Sequence, residues 1–119
     1  MSSVAWPAGF ADGVRLFNAG QFFEAHEAFE ELLDDVEDDE RWDLLVALVQ
    51  VAVGYHKWTS GHVGAARMLG LGPEKLASFA DVAWDVDIGA LRRRVAIDRV
   101  AAEDAKPAAA PPHIDWRVP

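Results

Sequence analysis

His26 and Glu30 stand four residues apart in the stretch Gly20-Gln-Phe-Phe-Glu-Ala-His-Glu-Ala-Phe-Glu-Glu-Leu-Leu33. If the stretch is helical, the two share a face. At ~100° per residue, Phe22, His26, Phe29 and Leu33 fall on one stripe, with Glu30 at its edge. An imidazole and a carboxylate turned toward a core need partners, because unpaired polar groups there are costly. The pair invites two chemistries. One is a metal site: His26-Glu27-Ala28-Phe29-Glu30 parallels the zinc-protease pattern His-Glu-x-x-His, in which two ligands lie one turn apart and the Glu is the general base. The ligands would then be His26, Glu30 and, from a later helix, His56, with Glu27 as the base. Glu27, however, points up to ~100° away from that direction, toward solvent. The other is a polar cluster in which His26 and Glu30 hydrogen-bond each other, Gln50 or the backbone and fix the packing of helices.

Other catalytic patterns find no footing. A di-iron carboxylate bundle needs Glu-x-x-His on paired helices, and no Glu stands three residues before any of His26, His56, His62 or His113. There is no cysteine, and Ser60 and Ser78 lie in no nucleophile elbow. Gly70-Leu-Gly72 follows no strand and is not a phosphate loop. Arg92-Arg93-Arg94 with Arg99 is the one basic cluster; Arg94–Asp98 and Arg99–Glu103 are spaced one turn apart, so these arginines are expected to pair with the acidic surface.

The elements that must position these groups read as helices punctuated by Gly and Pro, with no convincing alternating strand. Helices are expected over about 8–19, 21–36 and 40–60, then 62–69, 73–82 and 88–103. Asp38 or Asp39 caps the third, and Pro73 suits the first position of the fifth. The third helix is apolar nearly all round, the mark of a central helix. It carries His56 beside Leu45, Val49 and Ala52, and its strip of Asp43, Ala47, Gln50, Gly54 and Lys57 lets a neighbouring backbone come close. Trp42 and Trp58 are expected to pack. Gly20 with Ala25, and Gly61 with Ala66, echo the turn of a tetratricopeptide-type hairpin, although their spacing is longer than the usual ~34 residues; two unrelated corners remain the alternative. The tail from Ala105 is rich in Ala and Pro, and its Ile114 and Trp116 either dock in a groove of the body or of a neighbouring copy, or are left free.

The chain has 119 residues, 51% of them hydrophobic, and a net charge of −9, enough for one domain with one core. An acidic surface repels phosphate backbones, so nucleic acid is not an expected partner. Scarce lysine with acidic excess resembles proteins from salt-loving organisms. The longest apolar run, from Leu44 to Tyr55, is too short to span a membrane, and no signal peptide opens the chain. The absence of cysteine suits a reducing compartment, and the expectation is cytoplasmic.

Three runs, Phe17-Asn-Ala-Gly-Gln-Phe-Phe-Glu-Ala-His-Glu-Ala-Phe-Glu30, Leu48-Val-Gln-Val-Ala-Val-Gly-Tyr-His56 and Gly61-His-Val-Gly-Ala-Ala-Arg-Met-Leu69, together resemble the small helical family called domain of unknown function 309. That resemblance covers about Phe10 to Leu71 and implies an all-helical fold without implying an activity. It carries over Glu24, His26, Glu27, Glu30, Gln50 and His56 as motif positions. Leu33 stands in the region where members often have Trp, and the acidic link Asp34 to Glu40 looks like a local embellishment.

The expected architecture is therefore all-α. It is a compact bundle of five or six helices with tetratricopeptide-like hairpins over residues 1–104 and an extended tail over 105–119. The expected function is a helical binding or scaffold module with a buried polar cluster of Glu24, His26, Glu30, Gln50 and His56. The alternative is a metal-dependent hydrolase using the His26-Glu27-x-x-Glu30 helix motif plus His56. The cofactor is unknown, with a divalent metal tied to that alternative. No membrane is an expected partner, and self-association through the small-residue strip or the tail is left open.

Overall fold

A computed structural model describes residues 6–108 and 110–116. The fold is all-α, and the described residues form five helices and one small hairpin: α1 (Gly9–Asn18), α2 (Phe22–Glu31), α3 (Asp39–Thr59), α4 (Ala65–Leu76), β1 (Val82–Ala83), β2 (Val86–Asp87) and α5 (Ile88–Glu103). Each helix packs on the next in sequence. Among the described residues no helix is long and apolar enough to cross a membrane.

The two expected hairpin corners are both present and chemically alike. At the end of α1 the Gly20 N–H reaches the Phe17 carbonyl and the Gln21 N–H the Leu16 carbonyl; at the end of α3 Gly61 and His62 repeat this with Trp58 and Lys57. Both glycines have positive φ, +80° and +71°, which a side chain would strain. Beyond the corners, Ala25 is fully buried, but in the second hairpin it is Ala65 and not Ala66 that fills the seam.

Three elements differ from expectation. A short 3-10 turn, Leu32–Asp35, follows α2, whose α-helical run stops at Glu31. Residues 62–82 give one helix, α4, where two were expected. Pro73 lies within it at the cost of a single hydrogen bond to the Leu69 carbonyl. Gly72 is there for contact: a β-carbon on it would sit 2.4 Å from Val51 Cγ2 of α3. The link before α5 is not coil but a two-residue hairpin, with Trp84 and Asp85 both at positive φ, the twist that tight hairpins favour.

The core runs from the α1 aromatics through α3. Phe10 stacks on Trp6 with centroids 4.1 Å apart, and Phe17, Phe22 and Tyr55 form a second cluster. Trp58 is buried and donates to the Lys106 carbonyl, but Trp42 is exposed: the apolar character of α3 extends further round the helix than its buried surface does. The tail docks on its own body. Ile114 is buried, and its backbone N–H and carbonyl both bond the Asn18 side chain, at 2.7 and 3.1 Å. Trp116 sits edge-on to Phe10 and bridges to Val86.

Candidate functional site

The residues that α2 buries are Phe22, Ala25 and Phe29, continued by Leu32 and Val36 in the turn and link beyond. This stripe is spaced three, four, three and four, and it shares Phe22 and Phe29 with the expected one but rotates His26 and Leu33 to its flank. His26 is consequently half-buried, at the open edge between α2 and α3. On α3 the same edge is made by Val53, His56 and Lys57, spaced i, i+3 and i+4 and so on one face.

A groove of about 310 Å³ lies there, lined by Phe23, His26, Val53, His56, Lys57 and the corner residues Ser60 and His62. Phe23 is its centrepiece. It is 46% exposed although large and apolar, and its ring stands 5.3 Å from both the His26 and the His56 imidazoles, tilted by 57° and 52°. The two histidines that sequence placed on different helices thus meet one surface, with Phe23 between them.

Hydrogen bonding sets two of the imidazoles. His26 Nδ1 lies 3.0 Å from the Phe23 carbonyl oxygen, which can only accept, so Nδ1 carries the proton. Its Nε2 is left 3.8 Å from Glu30 Oε2, an ion pair only when the ring is protonated. His62 Nδ1 accepts from the Gly64 backbone N–H at 3.1 Å, so the neutral ring keeps its proton on Nε2.

The expected polar cluster is not assembled as such. Glu24, Glu27 and Glu30 are exposed, with 61% of the Glu30 side chain accessible. Gln50 lies on a different side of α3, in a shallow groove with Leu71, Glu74 and Lys75. The reason is helical geometry: six residues separate Gln50 from His56, which sets them ~120° apart. Gln50 Oε1 is buried there and accepts no hydrogen bond from any described residue. Nor do His26, Glu30 and His56 make a ligand set, since among the described residues no three His, Asp or Glu side chains gather closely enough to hold a metal ion. The strip of Ala47 and Gly54, considered for self-association, is covered by the chain's own α4, whose Leu69 backbone nitrogen would lie 3.1 Å from a β-carbon at Gly54.

The buried polar centre is elsewhere. Asp98, 5% exposed, is the one buried charged residue among those described. Its Oδ2 accepts from the Tyr55 hydroxyl at 2.5 Å and from Arg94 Nε at 2.8 Å, and Arg94 Nη2 also donates to the Ala110 carbonyl of the tail. Burial, reinforced by the hydrogen bond and negative charge of Asp98, pushes the Tyr55 hydroxyl well above the ordinary tyrosine range. The Arg94–Asp98 spacing was the visible half of this cluster; no local signal ties Tyr55 to it. The Arg99–Glu103 pair is also present, at 3.1 Å.

An all-α domain of two helical hairpins, closed by a fifth helix and a docked tail, with an aromatic–imidazole groove at one hairpin edge, is the class of protein these features define. The model of the family described as Domain of unknown function (DUF309) matches residues 10–69. The chain belongs to that family, and the matched residues contain α1 from Phe10 on, α2, α3 and the α2–α3 groove. No curated protein matches the chain.

Proposed function

We propose that the chain is a helical binding module of the cytoplasm whose ligand seat is the α2–α3 groove, and that the ligand has a ring-sized apolar body and an acidic group. The observation that carries this reading is the exposed Phe23 ring held between His26 and His56. An apolar ring of this size is uncovered only at a cost, and a ligand ring laid against Phe23 and Val53 removes that cost. Around this apolar floor stand groups that donate to an anion: His56, Lys57 and the Nε2–H of His62. Groove volume matches the lower end of small-molecule sites. Glu24 and Gln50, motif positions outside this groove, serve solubility and helix packing in this reading. A hydrolase would ask more of the site than is gathered there, because Glu27 is exposed and His26, Glu30 and His56 do not gather as a set of three among the described residues.

Phenylacetate is a suitable probe. Titrated into labelled protein, it should move the imidazole C–H signals of His26, His56 and His62 with a dissociation constant on the order of 1 mM. Phe23→Ala, at a largely exposed position, should weaken binding about fivefold without unfolding the chain. Silence at these histidines, or shifts confined to other surfaces, would refute the assignment.

A further inference from the structure

We propose that this groove continues past His62 into a second one and that the two together take an extended acidic peptide carrying one bulky apolar side chain; the proposal rests on the ligand seat described above and names its occupant. The second groove, about 450 Å³, lies between the α3–α4 corner and the end of α5, lined by Trp58, His62, Val63, Ala66, Ala102 and Lys106. His62 lines both grooves, and Val63 beside it is almost wholly exposed.

Charge selects the partner. The chain carries a net charge of −9 and only three lysines and four histidines, yet Lys57, Lys106, His26, His56 and His62 all line these two grooves. Most other cations are already paired: Arg15 with Asp12, Arg41 with Asp38, Lys75 with Asp43, Arg92 with Asp81, Arg94 with Asp98 and Arg99 with Glu103. Lys57 and Lys106 have no carboxylate partner among the described residues. Glu103, the one acid at the groove wall, is held by Arg99. Neither ammonium is needed to cap α3, because the His56, Lys57 and Trp58 carbonyls already accept from the Ser60, His62 and Gly61 N–H groups. Two free ammonium groups in an acidic molecule, separated by imidazoles and small apolar residues, are complementary to carboxylates spaced along an extended strand. The gap between Phe23 and Val53 takes the apolar anchor.

A labelled acidic peptide of about eight residues with one central Trp tests this by fluorescence anisotropy. It should bind at least about tenfold more tightly than phenylacetate and weaken as salt is added. Lys106→Glu and Ala66→Glu, both in the second groove, should each weaken the peptide about fivefold and leave phenylacetate binding unchanged. Phe23→Ala should weaken both ligands. Peptide binding indifferent to Lys106→Glu and Ala66→Glu overturns the continuous groove while leaving the ligand seat standing. An oligothymidylate of equal charge binding as tightly overturns the peptide assignment. So does concentration-dependent self-association abolished by Lys106→Glu in the absence of peptide binding. Failure of phenylacetate at His26 and His56 is instead the failure of the seat itself.

Discussion

Asp98 draws two donors onto a single carboxylate oxygen, the Tyr55 hydroxyl from α3 and Arg94 from its own helix. Removing the acceptor strands both, one of them in the core. Asp98→Ala is expected to lower stability by about 3 kcal/mol, the Arg94 share being softened because that side chain is one-third exposed. Asp98→Asn keeps an acceptor without the charge and should cost about half as much. Urea denaturation of the two variants checks the order, and equal midpoints for wild type and Asp98→Ala would show that the cluster carries no net stability. This residue also marks what sequence could and could not reveal. The spacing of Arg94 and Asp98 gave their pairing, but burial was invisible, because it depends on Tyr55 in a helix 43 positions away. His56 was legible from the periodicity of its own helix, whereas His26, expected on the core stripe of α2, lies at its flank; the two edges face the same groove. Glu30 was not legible, since the α2 stripe is rotated by one position once Ala25, small and easily overlooked, is counted as the buried residue, and Gln50 was not, since it stands ~120° from His56 around α3.

At the scale of elements, the start of α3 was readable because local chemistry fixes it. Asp38 accepts from the Arg41 backbone N–H at 2.9 Å and so caps α3, and its other oxygen engages Arg41 Nε. Slight burial opposes ionisation of Asp38, but the two hydrogen bonds and the charge of Arg41 outweigh it and hold the carboxyl below its usual range. A carboxyl depressed in the folded state stabilises that state above the unfolded value, and the contribution is lost as pH falls through the lower, folded value. Asp38→Ala should therefore cost about 1 kcal/mol near neutral pH, and the gap to wild type should shrink as pH drops below about 4. Thermal melts across that range check the sign; a gap that widens in acid would contradict it. The helix breaks were less legible. Gly70, Gly72 and Pro73 carry a turn signature, yet α4 runs through them because the absence of a side chain at Gly72 lets α4 lie against Val51. A residue required by tertiary contact is indistinguishable in sequence from one required by a turn.

For the whole molecule the decisive question is what closes the bundle. The family match ends at residue 69, and beyond it α4 is completed and the hairpin, α5 and the tail are added. The tail is integral to that closure: Ile114 is buried, both of its backbone polar groups bond Asn18, the Asp87 N–H donates to the Asp115 carbonyl, and Trp116 covers Phe10. These contacts tie α1 and the hairpin to one strand of chain, and Arg94 of α5 joins them by donating to the Ala110 carbonyl, so tail and body should unfold together. Ile114→Ala leaves a cavity among them and is expected to cost about 2–4 kcal/mol, with a single denaturation transition at a lower midpoint. A merely adhering tail behaves otherwise. It would open locally, leaving the global midpoint untouched while the Ile114 and Asp87 amides lost their protection against hydrogen exchange. Exchange and denaturation measured on the same variant separate the two, and an unchanged midpoint with fast exchange at those amides would place the tail outside the cooperative core.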